Sequence, residues 1–462
     1  MKFNFKPSPN YRDGQSTGRI MGELTLGLLA VFAFSLYYYF TNFSASYGLR
    51  AILLMITAIV SACGTEILWC VFTKKDILNS LKNSYPWVTA IILTMMCPLS
   101  IEYYALAVAT VIAIFFGKLV FGGFGQNIFN PAAVGRATIF ASFAGAAAAD
   151  IVTGATPTSS MAAQNWIINS AEGMSSFLKP FGGLGNMFVG LYPGAIGETS
   201  ALVILVVGVI LAIRKVIDWR VPATYLITLF VLAAGVGLMH GAPISYALFH
   251  LLTGGAMFGA VFMMTDPVTN PTSAAGRIMF AVGCAVITIV LRLRSNLPEG
   301  VMYSILIMNM LTPLIESLTD GQQIKMKSKN IRNLAILFVA GLAITLLVGS
   351  TIKPVAAGSA EAGATNGTET TYNVTQHGFQ GDNQFEVVID TAKGEVVSVK
   401  MTEFNDTPGI GDGVNDDYLS QFVGAKSEDD VNAVDNVSGA SYTSKSAKDA
   451  IIQALNCLLY TS

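Results

Sequence analysis

The chain has 462 residues, of which 53% are hydrophobic and 12% charged, with a mean hydropathy of +0.56 and a formal net charge of −2. Soluble domains carry roughly a quarter charged residues, so this composition excludes a soluble globular protein and indicates an integral membrane protein. The small net charge hides an asymmetry. Residues 1–351 hold 21 Lys and Arg against 13 Asp and Glu, whereas residues 352–462 hold 6 against 16. That split suggests a basic membrane part and an acidic tail on different sides of a boundary.

Residues 1–23 form a polar lead with Arg12 and Arg19. Apolar runs follow at 24–41, 48–72, 86–101, 102–121 and 133–149. A bilayer crossing needs roughly 17–25 apolar residues, so the third and fifth runs are short ones. Lys74, Lys75 and Lys82 after the second run predict an inside loop and an inside N-terminus. Five crossings then put the Gly-, Ser- and Asn-rich segment 150–200 outside. Further runs lie at 201–213, 222–239, 245–265, 277–295 and 299–317. Arg214, Lys215 and Arg220, and later Lys325, Lys327, Lys329 and Arg332, again mark the inside, with Arg292 and Arg294 as exceptions. An eleventh run at 331–350 carries the chain outside, followed by a linker over 351–371 that is rich in Ala, Gly, Ser and Thr. Alternation at 384–390 and 396–402 predicts two strands with a turn at Lys393-Gly394, and 444–455 reads as an amphipathic helix. The expected fold is therefore a polytopic α-helical membrane protein, with about ten helices plus an eleventh and a C-terminal α+β domain outside the cytoplasm.

One signature occurs twice. Asp150-Ile151-Val152-Thr153-Gly154-Ala155-Thr156 is repeated as Asp435-Asn436-Val437-Ser438-Gly439-Ala440-Ser441. Each is an Asp, two spacers, a small hydroxyl residue, Gly, Ala and a last hydroxyl. A hydroxyl on such an open turn can accept a phosphate ester. As a single string it is ordinary loop sequence; its recurrence, with both copies on the predicted outer face, points to function. A second echo pairs Asn130-Pro131 and Gly135-Arg136 with Asn270-Pro271 and Gly276-Arg277. Paired interrupted helices of this kind mark sites between inverted repeats in transporters, but the crossing count places both echoes on the cytoplasmic side, which inversion forbids, so either a crossing is miscounted or the echo is chance.

Ionisable groups inside a bilayer cost about 2.5–3.5 kcal/mol or more and are usually functional. Glu66 and Asp266 are the candidates for a cation path, and such a carboxylate serves sodium or protons alike; Glu102 and Glu198 read as helix ends in water. The Gly122–Gly125 run lacks the strand before it and the Lys-Ser/Thr after it that a phosphate loop needs, so tight packing or close approach to a flavin ring is the better reading. The five cysteines and three histidines show no metal-ligand spacing, so no metal site is expected, and no nucleic-acid signature is present.

Several stretches resemble RnfD, a membrane component of the Rnf-type ion-translocating ferredoxin:NAD oxidoreductases. They are Ser8-Pro9-Asn10-Tyr11-Arg12, Gly122-Gly123-Phe124-Gly125-Gln126-Asn127-Ile128-Phe129-Asn130-Pro131, Pro193-Gly194-Ala195-Ile196-Gly197-Glu198-Thr199-Ser200, Met264-Thr265-Asp266-Pro267-Val268-Thr269 and Pro298-Glu299-Gly300-Val301. The tail resembles RnfG of the same complexes through Thr407-Pro408-Gly409-Ile410-Gly411-Asp412 and the second signature. The resemblance implies a membrane domain over 1–320, an anchor over 331–350 and an FMN-binding domain over 372–456. It implies covalent FMN, joined by a flavin transferase through its phosphate to Thr156 and Ser441, with Thr443 the alternative to Ser441. Asp150 and Asp435 would serve recognition by the transferase, and Thr153, Gly154, Ala155, Ser438, Gly439 and Ala440 belong with them to the cofactor-binding motifs. It also implies riboflavin between the helices, the other Rnf components as partners, and a multi-pass place among the lipids of a bacterial inner membrane. NqrB and NqrC of the NADH:quinone sodium pump are the related alternative, although NqrB has a longer N-terminal lead. A transporter with a fused sensor domain is the alternative from another class. Finally, Cys457-Leu458-Leu459-Tyr460-Thr461-Ser462 does not continue the helical pattern and matches a translated sequencing adapter, so it is expected to be an artefact.

Overall fold

The computed structural model describes residues 16–143, 156–162, 164–168, 170–198, 200–295, 300–319, 328–352, 359–366, 369–379, 381–391, 393–406, 409 and 411–461. Asp150, Thr153, Gly154 and Ala155 therefore lie outside the described residues, as do 353–358 and 367–368 of the expected linker.

The membrane part begins with α1 (Thr17–Asn42) and α2 (Ala45–Thr73), capped by Ser16 and closed by Lys74 in the left-handed region. Then come α3 (Ile77–Ser84), α4 (Pro86–Met95) and α5 (Tyr103–Ile114), which ends in a π-helical turn, Phe115–Leu119. After a glycine-rich loop, α6 (Pro131–Ser142) starts where the Asn130 side chain accepts from the amides of Ala132 and Ala133. Short helices α7 (Pro157–Ala162), α8 (Ala171–Leu178) and α9 (Gly183–Val189) follow, then α10 (Ala201–Ile213) and α11 (Arg220–Met239). A bent pair, α12 (Pro243–Leu252) and α13 (Ala256–Phe258), runs into a second π-helical turn, Gly259–Met263. Three long helices, α14 (Ala274–Arg294), α15 (Gly300–Thr319) and α16 (Ser328–Thr351), complete this part.

Among the described residues, six helices are long and apolar enough to cross a membrane, or seven if the bent pair is one span. The apolar runs at 86–101, 102–121, 133–149 and 201–213 form shorter helices instead. Their texture has a physical reason: α4 is apolar because eight of its ten residues are buried in the bundle. Burial in protein and burial in lipid write the same composition.

The two interrupted stretches are built alike. Arg50 of α2 donates to the carbonyls of Leu99, Ser100 and Ile101 at the break between α4 and α5. Arg292 of α14 donates to those of His250, Thr253 and Gly254 at the break between α12 and α13. Carbonyls freed at a helix end need such donors when water is excluded. By charge pattern Arg292 is an exception to the inside-positive rule, but in the fold its side chain is fully buried and caps a helix end. The echo of Asn130 and Asn270 also has a structural counterpart. Each follows a π-helical turn, and the Asn130 side-chain Nδ2 donates to the Met263 carbonyl of the second stretch at 3.4 Å.

Beyond α16 lies an antiparallel sheet of β1 (Ser359–Asn366), β2 (Glu369–His377), β3 (Asp382–Asp390) and β4 (Glu395–Glu403) in that order. Gly394 adopts φ +63° at the predicted turn. In register, Tyr372 opposes Val387, Val387 opposes Val399, and Val374 opposes Phe385, so one sheet face is apolar. After α17 (Asp416–Leu419) and α18 (Glu428–Asn432), the last helix α19 (Ser441–Thr461) packs Ala447, Ala450, Ile451 and Ala454 into that same core. Helical geometry extends through 457–461, beyond the predicted end of the pattern.

Candidate functional site

The second signature forms a turn leading into α19. Gly439 takes φ +82°, a conformation natural to glycine, and the amide of Ala440 donates to the carbonyl of Val437. Asp435, Ser438, Gly439 and Ser441 are exposed, whereas Ala440 is buried and anchors the turn. The start of the helix is held from below. Thr443 donates to Asp406 Oδ2 at 2.6 Å, and the same oxygen accepts from the Phe379 amide at 3.0 Å. Ser444 Oγ accepts from the Val437 amide at 3.0 Å. A Cβ on Gly411 would meet Phe404 at 2.8 Å and Thr443 Oγ1 at 3.0 Å, so Gly411 packs directly against this helix start. The hydroxyl of Ser441 is thus open, while that of Thr443 is buried and committed.

Of the first signature only Thr156 is described. Its carbonyl accepts from the Ser160 amide at 2.9 Å and its Oγ1 from the Ser159 amide at 3.2 Å, so it caps α7. Its hydroxyl also lies 2.7 Å from Ser159 Oγ and 3.1 Å from Thr158 Oγ1, in a hydroxyl-rich turn that Ser160 completes. Behind it, buried Thr158 packs on Gly254, where a Cβ would meet Thr158 at 3.1 Å and clash with the Arg292 guanidinium. Trp166 stacks on His250 at 5.5 Å, and the Tyr246 hydroxyl donates to the Trp166 carbonyl at 2.8 Å. The loop carrying Thr156 is thereby seated on the break between α12 and α13.

Residues that flank the two copies meet in space. The hydroxyl of Tyr442, next to Ser441, donates to Ser160 Oγ, four residues from Thr156, at 3.1 Å. Phe379 packs on the Tyr442 ring at 5.5 Å, and burial pushes the phenol up to about 12. Spacing in sequence gives no signal for this contact, since 282 residues separate its ends.

The candidate path residues lie elsewhere. Asp266 follows the second π-helical turn, where its carboxylate accepts from the Val268 amide and the Thr269 hydroxyl, each at 3.2 Å. Glu66 is 2% exposed on α2 and pairs with Lys118 at 2.8 Å. Sequence reading misses Lys118, because one charge inside a long apolar run leaves the hydropathy of that run nearly unchanged. Glu102 stands at the start of α5, 3.9 Å from Arg50 and 39% exposed.

Comparison with known proteins follows the same division of the chain. The profile of the FMN-binding domain matches residues 378–456. The D component of the proton-translocating ferredoxin:NAD(+) oxidoreductase complex of Clostridium ljungdahlii is 35% identical over 331 residues, covering 69% of this chain and 95% of that protein. Its counterpart in the Na(+)-translocating complex of Acetobacterium woodii is also 35% identical, over 68% of this chain and 92% of that protein. The B component of the Na(+)-translocating NADH-quinone reductase of Chromohalobacter salexigens is 32% identical over 53% of this chain and 60% of that protein. The profile of the NQR2, RnfD, RnfE family matches residues 4–325, most of the chain, and the chain belongs to that family.

Proposed function

We propose that this chain is a flavin-carrying subunit of a membrane redox pump, joining the roles of RnfD and RnfG in an ion-translocating ferredoxin:NAD oxidoreductase. FMN is esterified through its phosphate to Thr156 and to Ser441, and the two flavins pass electrons one at a time while a cation crosses the membrane. The observation that carries this reading is the Tyr442–Ser160 hydrogen bond, which joins residues just beyond the two signature copies across 282 residues of sequence. A helical turn, a serine side chain, one hydrogen bond, a tyrosine side chain and one residue link the Cα atoms of the two acceptors, an upper bound of roughly 22 Å. The surroundings suit a phosphate: Thr156 sits among the hydroxyls of Thr158, Ser159 and Ser160, and Ser441 is exposed at the start of a long helix. Ser441 is preferred to Thr443, whose hydroxyl is spent on Asp406.

In this reading residues 1–320 are the membrane domain, 331–350 an anchor, 351–371 a linker and 372–456 the FMN domain. The shorter apolar helices complete ten crossings, the anchor makes an eleventh, and both signatures lie outside the cytoplasm of a bacterial inner membrane. A contact between residues 160 and 442 requires them to share a face, which supports that arrangement. Partners are the other components of the complex, the surrounding lipid and a flavin transferase that reads Asp150 and Asp435. Riboflavin is proposed between the helices. Asp266 and Glu66 are proposed to line the cation path. The coverage of the two ferredoxin:NAD(+) relatives, 95% and 92% against 60% for the quinone reductase relative, favours the ferredoxin:NAD complex. Co-expression with a flavin transferase followed by in-gel fluorescence of the denatured chain tests the reading; a dark band sinks it.

A further inference from the structure

Lys118 lies on the π-helical turn that ends α5, 2% exposed inside an apolar stretch. Its ammonium is 2.8 Å from Glu66 Oε1 and 2.5 Å from the carbonyl of Ser84. The Ser84 hydroxyl donates to the same Glu66 oxygen at 2.5 Å, and the ring of Phe124 lies 5.7 Å from the ammonium. The π-helical geometry is itself a sign of function, since such turns are rare and concentrate at working sites.

This cluster stands between two cavities. One, of about 290 Å³, is polar and is lined by Glu66, Lys75, Asn79, Ser80, Asn83 and Ser84. The other is lined by Lys118, Tyr85, Asn127, Asn130 and Asp266. Ser84 and Phe124 line both, so the partition is made of these two residues and the buried ion pair. A partition alone needs no charge. Two well-packed apolar residues would close it as well or better, because a buried ion pair recovers little beyond its own desolvation cost. The position of the ammonium is telling. It rests between a carboxylate and a backbone carbonyl, the hard oxygen donors that small cations take up when they shed water.

We propose that Lys118 is a tethered stand-in for the transported monovalent cation. It occupies the oxygen position at Glu66 and keeps the partition shut. When the side chain swings away, a cation takes its place on Glu66 and moves between the polar cavity and the one that ends at Asp266. No covalent bond is made or broken in this exchange: Glu66 trades one cation for another, and the displaced ammonium turns into the cavity that Lys118 shares with Asp266, whose carboxylate supplies its counter-charge. The inference rests on the reading of the complex as a cation pump, and Lys118 acts as a positioning residue that controls access to Glu66.

The test uses the whole assembled complex in sealed neutral phospholipid vesicles, with sodium-22 or an entrapped pH dye as the probe and no electron donor. Lys118→Met is expected to raise passive flux of one of the two ions by at least about tenfold over wild type. Lys118→Arg, which keeps a tethered charge, should return the flux toward wild type. Because Lys118→Met strands a buried carboxylate and can fail to assemble, the neutral pair Glu66→Gln with Lys118→Met is read as well. A site that receives the cation then no longer exists, so donor-driven uptake should be lost although the complex assembles. Unchanged passive flux of both ions in Lys118→Met, or wild-type pumping by the neutral pair, overturns the proposal. Absence of donor-driven uptake by the wild-type complex counts against the proposed function, while the passive-flux comparison still decides the gate.

Discussion

The two copies of the signature end in opposite surroundings. Thr156 is half-buried, caps a six-residue helix and already shares its hydroxyl with Thr158 and Ser159. Ser441 is exposed and opens a 21-residue helix whose support comes from the residues just after it. One local sequence thus specifies a hydroxyl on a turn, and the elements beneath decide how that hydroxyl is presented. In the membrane part the support is the α12–α13 break and Arg292; in the tail it is Asp406 and the sheet.

The comparison can be broken most severely at the acceptors. Thr156→Ala and Ser441→Ala should each remove one covalent flavin and leave the other, and the double variant should run dark in a fluorescent gel. Retention of both flavins in either single variant would undo the equivalence of the sites. Arg292→Met strands three carbonyls at the break under the Thr156 loop, an expected loss of about 3 kcal/mol read as a lower melting temperature of the detergent-solubilised chain. Its mark on the first site alone should be faster hydrogen exchange in residues 156–162, with 441–455 unchanged.

At the second site, Thr443→Val removes the bond to Asp406 and should cost about 2 kcal/mol, since the acceptor is a carboxylate. Covalent flavin should survive at Ser441; its loss would instead favour Thr443 as the acceptor. Tyr442→Phe removes the hydrogen bond to Ser160 beside the two copies and should cost only about 1 kcal/mol. This contact also carries a pH signature. Burial raises the phenol from its ordinary value of 10.0 to about 12, so an unfolded tail ionises first. The contribution of the neutral phenol is whole below pH 10.0 and is lost as pH rises toward about 12. Alkaline melting curves of wild type should fall in that window, and those of Tyr442→Phe should fall less.

Much of this fold is legible because periodicity and caps are local. The strands at 384–390 and 396–402, the Lys393-Gly394 turn and the helix over 444–455 all lie within elements of the structure. β2 gives a weaker signal, since Glu369–His377 alternates mostly through Thr, Asn and Gln beside its few apolar residues. The short membrane helices are illegible as such, because an apolar run does not say whether protein or lipid covers it. Both proposed acceptor hydroxyls are visible as motifs. What holds them is not: Arg292 looks like a stray loop charge, Lys118 vanishes in an apolar average, and Tyr442–Ser160 is a long-range contact with no sequence trace. Side chains that answer distant backbone groups are fixed by the fold, and one sequence read along its length does not contain that pairing.

The most direct measurement is peptide mass spectrometry of the chain purified after co-expression with its flavin transferase. The account predicts an FMN phosphoester on the peptide containing Thr156 and another on the peptide containing Ser441, in equal amounts. Both peptides recovered wholly unmodified, or flavin mapped to other residues, would contradict it.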